Sequence, residues 1–306
     1  MNRNFLKGSL ALSMAAAIWG GMYVISKIVL GYIQPWLLLE IRFIISLFVL
    51  GSITWWKGLW KIHRQDVFKM AMIGLVGYTG SIGMQFVGTN LSSAAMGSLI
   101  TAASPALISI FAFYILKEKL QINKITALIL ATIGVLCVIG LPSTNNQTES
   151  MYLGNIILFG AAITWAIYTV LSKVQTQRYS SLTVTTWSNL FGVIFTIPIV
   201  IWEQAVTPTD LPKDVWIWLG VLYLGIISTA VAFYFWNKGF EYLDASTGSL
   251  FFFLQPIVGS LLGFLLLDES LGITFILGAC LIGIGVYLSS KEKRILLSKN
   301  KGISNK

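Results

Sequence analysis

Long apolar runs, separated by short polar or charged connections, follow one another along almost the whole chain. A run of about 20 apolar residues is long enough to cross a bilayer as an α-helix. The pattern therefore predicts an all-α polytopic membrane protein with ten transmembrane helices. The predicted spans lie at 8–30, 36–54, 68–90, 94–116, 122–141, 152–172, 182–203, 215–237, 246–267 and 271–289.

The two halves of the chain read alike. Segment 15–27 is similar to 161–173, and segment 97–120 is similar to 248–271. The matched residues are Trp19 with Trp165, Lys27 with Lys173, Pro105 with Pro256, and Glu118 with Glu269. The chain is therefore predicted to be a duplicated membrane unit, an arrangement that commonly encloses a central substrate site.

The duplication divides the chain into four parts. We expect a first five-helix repeat over 1–141, an external linker over 142–151, a second repeat over 152–290 and a basic cytoplasmic tail over 291–306. Because five is an odd number, the second repeat is predicted to enter the membrane inverted. Inverted repeats allow a carrier to exchange inward-open and outward-open states.

Composition and charge agree with a membrane protein. Hydrophobic residues make up 56% of the chain and charged residues only 11%, against about a quarter charged in soluble domains. The net charge of +9 does not indicate a nucleic-acid partner, because the basic residues lie in connections and the tail. Most of the 21 Lys and Arg residues fall on one side of the predicted topology, and Lys213 falls outside. The positive-inside rule then places both termini in the cytoplasm, in a cell membrane.

Several chemistries have no matching motif. The only histidine, His63, lies in a basic connection, while Cys137 and Cys280 lie in spans without CxxC spacing. No HExxH, Walker motif or nucleophile elbow is present. We therefore expect no cofactor and no metal, and a carrier driven by a proton or solute gradient rather than an enzyme.

With these residues in view, the chain resembles the drug/metabolite transporter superfamily, specifically the EamA type. The resemblance implies ten helices in two inverted repeats, alternating access and efflux of amino acids or related metabolites. It leaves open other metabolites, including nucleotide sugars, sugar phosphates and drugs; an intramembrane enzyme is the remaining alternative. Ala166 departs from the pattern, where the first half has Gly20. The residues that carry the resemblance to this family are Trp19, Gly20, Lys27, Arg42, Phe43, Pro105, Glu118 and Gly134 in the first half, and Trp165, Lys173, Pro256, Glu269 and Gly285 in the second.

Charged residues inside the spans are candidates for function, because charge in a bilayer is costly unless paired or hydrated. Arg42 near the middle of the second span either attracts an anionic substrate group or holds its helix in place. Lys27 and Glu40 flank the turn at 31–35, so we predict a structural pair between them. The alternative for Glu40 is a role in proton coupling.

Prolines and aromatic residues near mid-span suggest a central cavity. Pro105 and Pro256 are predicted to break their helices, since proline removes a helical hydrogen bond; neighbouring polar groups then either line a cavity or satisfy the broken backbone. Helix packing is the alternative for the aromatic residues. The glycine stripe Gly74, Gly77, Gly80 and Gly83 predicts close helix packing, with a hinge or sliding motion during alternating access as the alternative. The predicted substrate-binding residues are Trp19, Tyr23, Arg42, Gln85, Thr101, Ser104, Trp165, Tyr168, Thr229, Tyr234 and Gln255. The expected partners are a small-molecule substrate and the lipid bilayer, with the chain as a monomer or homodimer.

Overall fold

The computed structural model describes residues 3–92, 94–119, 121–139, 149–267, 273 and 276–288. Every regular element within these ranges is helical. Most of the predicted linker, the predicted tail and Glu269 lie outside the described residues. The helices are α1 (Arg3–Leu30), α2 (Pro35–Trp56), α3 (Arg64–Leu91), α4 (Ala94–Thr101), α5 (Ser104–Ile115), α6 (Ile122–Ile139), α7 (Glu149–Thr176), α8 (Ser181–Val206), α9 (Val215–Tyr242), α10 (Ala245–Gly248), α11 (Leu254–Leu267) and α12 (Ile276–Leu288).

Six helices in the described part of the chain are long and apolar enough to cross a membrane: α1, α2, α3, α7, α8 and α9. Shorter apolar helices follow each set of three long ones. The all-helical prediction is therefore confirmed, and the architecture is that of a polytopic membrane protein.

Both α3 and α9 contain a wide helical segment. The π-helical turns cover Gly74–Ile82 in α3 and Tyr223–Val231 in α9, and each segment has 9 residues. A π-helix displaces the regular hydrogen-bond ladder and often marks a functional position. The two segments occupy similar places in helices of equal length, 28 residues each, as the duplicated sequence leads one to expect.

The two proline-containing regions are interrupted just before their prolines. Helix α4 ends at Thr101, and α5 begins at Ser104 with Pro105 in its first turn. In the second half a 3₁₀ segment, Ser249–Phe253, precedes α11, which carries Pro256 in its first turn. Proline fits a first helical turn because the missing N–H has no partner there in any case.

The two halves pack across each other. Helix α1 packs on α9 and α11, α7 packs on α3, and α2 packs on α8. Buried hydroxyls join the last pair, since Thr54 Oγ1 and Thr186 Oγ1 lie 2.7 Å apart. The side chain of Asn189 also donates to the Phe43 carbonyl at 3.2 Å. The core therefore lies between the halves rather than within either one.

Glycines allow these close approaches. A Cβ at Gly77 would lie 2.1 Å from Tyr168 Cδ2, and one at Gly83 would lie 2.4 Å from the ring of Trp36. Gly20 of α1 and Gly259 of α11 bring their backbones together, since a Cβ at Gly20 would lie 3.0 Å from Gly259 N. Small residues commonly permit such contacts between membrane helices.

Carboxylates satisfy the N-termini of three helices. Glu203 accepts hydrogen bonds from the backbone N–H groups of Trp36 and Leu37 at the start of α2, at 3.1 and 2.8 Å. Glu118 accepts from Ala245 N at 2.7 Å, at the start of α10. Glu241 accepts from Ser181 N at the start of α8. Free N–H groups and the helix dipole both favour a negative charge at this position.

Substitution of Gly77 tests the packing of α3 on α7. Gly77→Ala should destabilise the protein by about 1–3 kcal/mol, because the added methyl group overlaps the buried Tyr168 ring. Gly51→Ala is the matched control, since its Cβ would meet Trp60 at 3.7 Å, an ordinary contact. Thermal unfolding of the two variants in the same detergent measures the difference; equal midpoints would contradict the assigned packing.

Candidate functional site

A cavity lies between the two halves, near the middle of the bundle. Seven helices, four from the first half and three from the second, supply its walls, together with the 3₁₀ segment before α11. Seven of the predicted substrate-binding residues meet there. The lining residues are Trp19, Met22, Tyr23, Ser81, Ile82, Gln85, Thr101, Ser104, Ala161, Trp165, Phe233, Phe252 and Gln255.

Aromatic rings form one side of the cavity. The rings of Trp19 and Trp165 meet edge to face, with centroids 5.1 Å apart. Phe233 packs on both, at 5.6 and 5.4 Å, and Phe252 lies 6.0 Å from Trp19. The indole N–H of Trp19 donates to the Ser228 carbonyl at 3.0 Å, within the π segment of α9. The wide turn therefore fixes one wall of the cavity.

Uncharged polar side chains form the other side. The Tyr23 hydroxyl lies 2.6 Å from Thr101 Oγ1, and it also interacts with the side chains of Gln85 and Gln255. Thr101 in turn donates to the Gly97 carbonyl at 2.7 Å, in the last turn before the helix break. Tyr23 thus joins α1 to the broken helices of both halves.

Three buried polar atoms that belong to lining residues have no hydrogen-bond partner in the described structure: Ser104 Oγ, Trp165 Nε1 and Gln255 Oε1. They comprise one hydroxyl, one donor and one acceptor. Buried polar groups are rarely left without partners, because an unmade hydrogen bond costs about 1–3 kcal/mol. None of the described side chains that line the cavity is charged. These atoms can therefore bind a small polar molecule.

The cavity has little free volume. Only about 20 Å³ is open to a water molecule, and one water needs roughly 10–15 Å³. Small-molecule sites usually measure about 300–1,000 Å³. The helices must therefore separate before an organic solute can enter.

Arg42 lies outside the cavity lining and is fully buried. Its Nε donates to Thr229 Oγ1 at 2.8 Å, and one terminal nitrogen approaches Ser228 Oγ at 3.5 Å. Its guanidinium also lies 4.9 Å from the centroid of the Phe86 ring. Arg42 and Thr229 thus hold α2 against the π segment of α9.

The predicted Lys27–Glu40 pair is wrong. Lys27 Nζ donates to the carbonyls of Thr89 and Asn90 at 3.0 and 3.1 Å, at the C-terminal end of α3. Both carboxylate oxygens of Glu40 are buried and have no hydrogen-bond partner in the described structure. A lysine at a helix C-terminus satisfies free carbonyls and complements the helix dipole. This capping role takes the ammonium group away from Glu40.

Lys173 repeats this arrangement in the second half. Its ammonium group donates to the carbonyl of Phe240 at 3.0 Å and to that of Leu243, at the C-terminal end of α9. The matched lysines therefore cap the third long helix of their own half.

The remaining predicted site residues lie outside the lining of the cavity. Tyr168 is buried beneath Trp165, with ring centroids 4.9 Å apart, and its hydroxyl accepts from Asn237 Nδ2 at 3.1 Å. Tyr234 lies in a separate cleft. Neither side chain lines the central cavity in this structure.

Sequence reasoning missed six lining residues: Met22, Ser81, Ile82, Ala161, Phe233 and Phe252. Phe252 had a usable signal, because the match of 97–120 with 248–271 places it opposite Thr101. The other apolar residues carry no such signal, since an apolar residue in a span looks the same whether it faces a cavity, lipid or another helix.

Comparison with known proteins agrees with this arrangement. The profile of the EamA-like transporter family matches residues 6–140 and, separately, 152–291. The chain belongs to the EamA-like transporter family. It is thus a membrane transporter rather than an enzyme.

Relatives of this EamA transporter extend over nearly its full length. The uncharacterized transporter YetK of Bacillus subtilis (strain 168) is 27% identical over 290 residues, covering 93% of this chain and 87% of the relative. An uncharacterized transporter of Archaeoglobus fulgidus is 23% identical over 289 residues, covering 94% and 98%. A solved crystal structure with 20% identity has a TM-score of 0.78 and covers 94% of this chain and 98% of that one. This last likeness shows a shared fold.

The different surroundings of Lys27 and Glu40 predict different effects on stability. Lys27→Met should destabilise the protein by about 1 kcal/mol, because it removes a cation from the carbonyl end of α3. Glu40→Gln should leave stability nearly unchanged, because no described group is bonded to the carboxylate. In a double-mutant cycle measured by chemical unfolding, the two effects should add within about 0.5 kcal/mol. A larger coupling energy would indicate a direct interaction between Lys27 and Glu40.

Proposed function

We propose that this EamA transporter exports amino acids with uncharged side chains, or closely related zwitterions, by secondary transport. The observation that carries the proposal is the set of unpartnered polar atoms in an uncharged, aromatic cavity. Trp165 Nε1 and Ser104 Oγ supply donors for a carboxylate, and Gln255 Oε1 supplies an acceptor for an ammonium group.

The aromatic wall suits both parts of such a substrate. Trp19, Trp165 and Phe233 offer ring faces and edges to an apolar side chain. Rings also attract a cation positioned over their faces, which supports binding of the ammonium group. A net-neutral zwitterion needs no charged partner, in keeping with the absence of charge among the described lining residues.

Phosphorylated substrates are less well supported. Proteins usually bind phosphate groups with Arg or Lys, which give charge-assisted hydrogen bonds. The buried Arg42 already bonds Thr229 and approaches Ser228. Nucleotide sugars and sugar phosphates would therefore enter a cavity whose described lining contains no basic residue. A cationic drug remains the alternative that the aromatic wall favours.

Alternating access supplies the movement that the closed cavity requires. We infer ten spans in two inverted five-helix repeats, whose matched residues Trp19 and Trp165 meet on the aromatic side of the cavity. Separation of the halves on either side of the membrane would then open the same cavity in turn. The distribution of basic residues supports cytoplasmic termini in a cell membrane.

Glu40 supports a proposal for energy coupling. Its side chain lies in α2, is 6% exposed and has both carboxylate oxygens without a partner in the described structure. The ionised groups on neighbouring segments are engaged elsewhere: Lys27 caps α3, Arg42 bonds Thr229, and Glu203 caps α2. A buried, unpaired carboxylate is costly when ionised. We therefore propose that Glu40 carries a proton in this closed state and releases it in another.

Flux through proteoliposomes tests the substrate assignment. Purified protein, without nucleotide, should transport a labelled amino acid with an uncharged side chain but not a sugar phosphate. Gln255→Ala and Trp165→Phe should each raise KM about tenfold, because each removes one hydrogen bond to a charged group.

Tyr234→Phe is the matched control for these variants, because Tyr234 lies outside the central cavity, and it should transport normally. Preference for a permanent organic cation over every amino acid would replace the amino-acid proposal with the drug alternative. An unchanged KM in both cavity variants would show that the substrate binds outside the central cavity.

The coupling proposal predicts a change in the response to pH. In vesicles with an inward proton gradient, efflux by the unaltered protein should be faster than without the gradient. Glu40→Gln should still exchange substrate but lose this acceleration, because the amide cannot release a proton. An amide variant that keeps the full acceleration would exclude Glu40 as the coupling site.

A further inference from the structure

A second, larger cleft lies at the end of the bundle where α2 ends, α8 begins and α9 approaches its C-terminus. Its volume is about 440 Å³, much larger than that of the central cavity. Apolar side chains form its walls, and Leu50, Leu182 and Ala230 form a buried cluster beneath them. The lining residues are Val49, Leu50, Ile53, Lys57, Leu59, Ser180, Ser181, Leu182, Ala230, Val231, Tyr234, Phe235 and Lys238.

The polar end of the cleft carries one positive charge in excess. Lys57 is exposed and makes no salt bridge to a described residue. Lys238 pairs with Glu241, whose carboxylate also accepts from Ser181. The two lysines and the one glutamate therefore leave a net charge of about +1 in this cluster. A phosphodiester, which bears one negative charge, complements it.

The cleft is separate from the central cavity, because the two share no lining residue. Most of its walls belong to α2, α8 and α9, and Ile53 of α2 is exposed to the surroundings of the bundle. A hydrophobic trough with a basic end is therefore open to the lipid phase. Its walls also join the halves, since α2 belongs to the first and α8 and α9 to the second.

We propose that this cleft binds one anionic phospholipid from the leaflet on the basic side of the protein. An acyl chain lies along Val49, Ile53 and Val231, and the phosphate lies beside Lys57 and Lys238. Basic pockets between membrane helices commonly hold anionic headgroups. The acyl chain fills the apolar trough between these walls. A free phosphate or a transported zwitterion would leave the trough empty. The bound lipid connects the two halves and stabilises their contact.

Lipid-dependent thermal unfolding of the full chain in a neutral detergent tests the proposal. Phosphatidylglycerol should raise the unfolding midpoint by several degrees, because a ligand of the folded state stabilises it. Phosphatidylcholine with the same acyl chains should raise the midpoint less than half as much. Glycerol 3-phosphate, which has the anionic group without the chains, should have no effect.

Two variants test separately how the positive charge and the apolar walls contribute to lipid binding. Lys57→Ala should raise the concentration of phosphatidylglycerol needed for half the shift about tenfold, through loss of a charge-assisted contact. Val231→Phe should reduce the shift by filling the trough. Lys213→Ala, which removes a lysine from the connection between α8 and α9, should behave as the unaltered protein.

Three results would overturn the proposal. Equal shifts with both phospholipids would show general lipid solvation only. An equal shift with glycerol 3-phosphate would show a free-anion site. A normal response in both cleft variants would place the lipid elsewhere. Because none of these measurements uses transport, they remain independent of the proposed substrate.

Discussion

The fold depends on satisfying helix ends in a medium that offers few hydrogen bonds. Each helix leaves free N–H groups at one end and free carbonyls at the other, and each unsatisfied group in lipid is costly. Several of the few charged residues of the chain meet this requirement. Glu118 and Glu203 cap N-termini, whereas Lys27 and Lys173 cap C-termini. The charged groups at these positions hold the helices in place relative to one another, so their first role is structural.

The central cavity combines satisfied polar groups with a few that have no partner. Around it the hydroxyl of Tyr23 and the indole of Trp19 are bonded, so the walls are fixed. Ser104, Trp165 and Gln255 nevertheless keep one free polar atom each. Rigid surroundings with a few open donors and acceptors suit recognition of a small solute. The near absence of free volume then makes recognition dependent on movement of the helices.

Much of the fold could be predicted from sequence, because apolar length and the internal repeat report directly on spanning helices. Several cavity residues were also predictable, since the match of Pro105 with Pro256 marked equivalent depths. The partners of charged residues were not. Lys27 and Glu40 are close along the chain, but backbone carbonyls at a helix end compete for an ammonium group, and sequence spacing cannot weigh that competition. Arg42 was ambiguous for a different reason, because its partner Thr229 lies in the other half, far away along the chain.

The contact between Glu203 and the start of α2 has a consequence for biosynthesis. Trp36 and Glu203 are 167 positions apart, so the ribosome completes α2 long before the residue that caps it exists. At about 5–20 residues per second, the interval is roughly 10–30 s. During this time the leading amides of α2 must rest among hydrated headgroups or against the insertion machinery. The nascent first half therefore lacks the cap at the start of α2 during this interval. Its assembly is completed only after the segment that contains Glu203 has been synthesised.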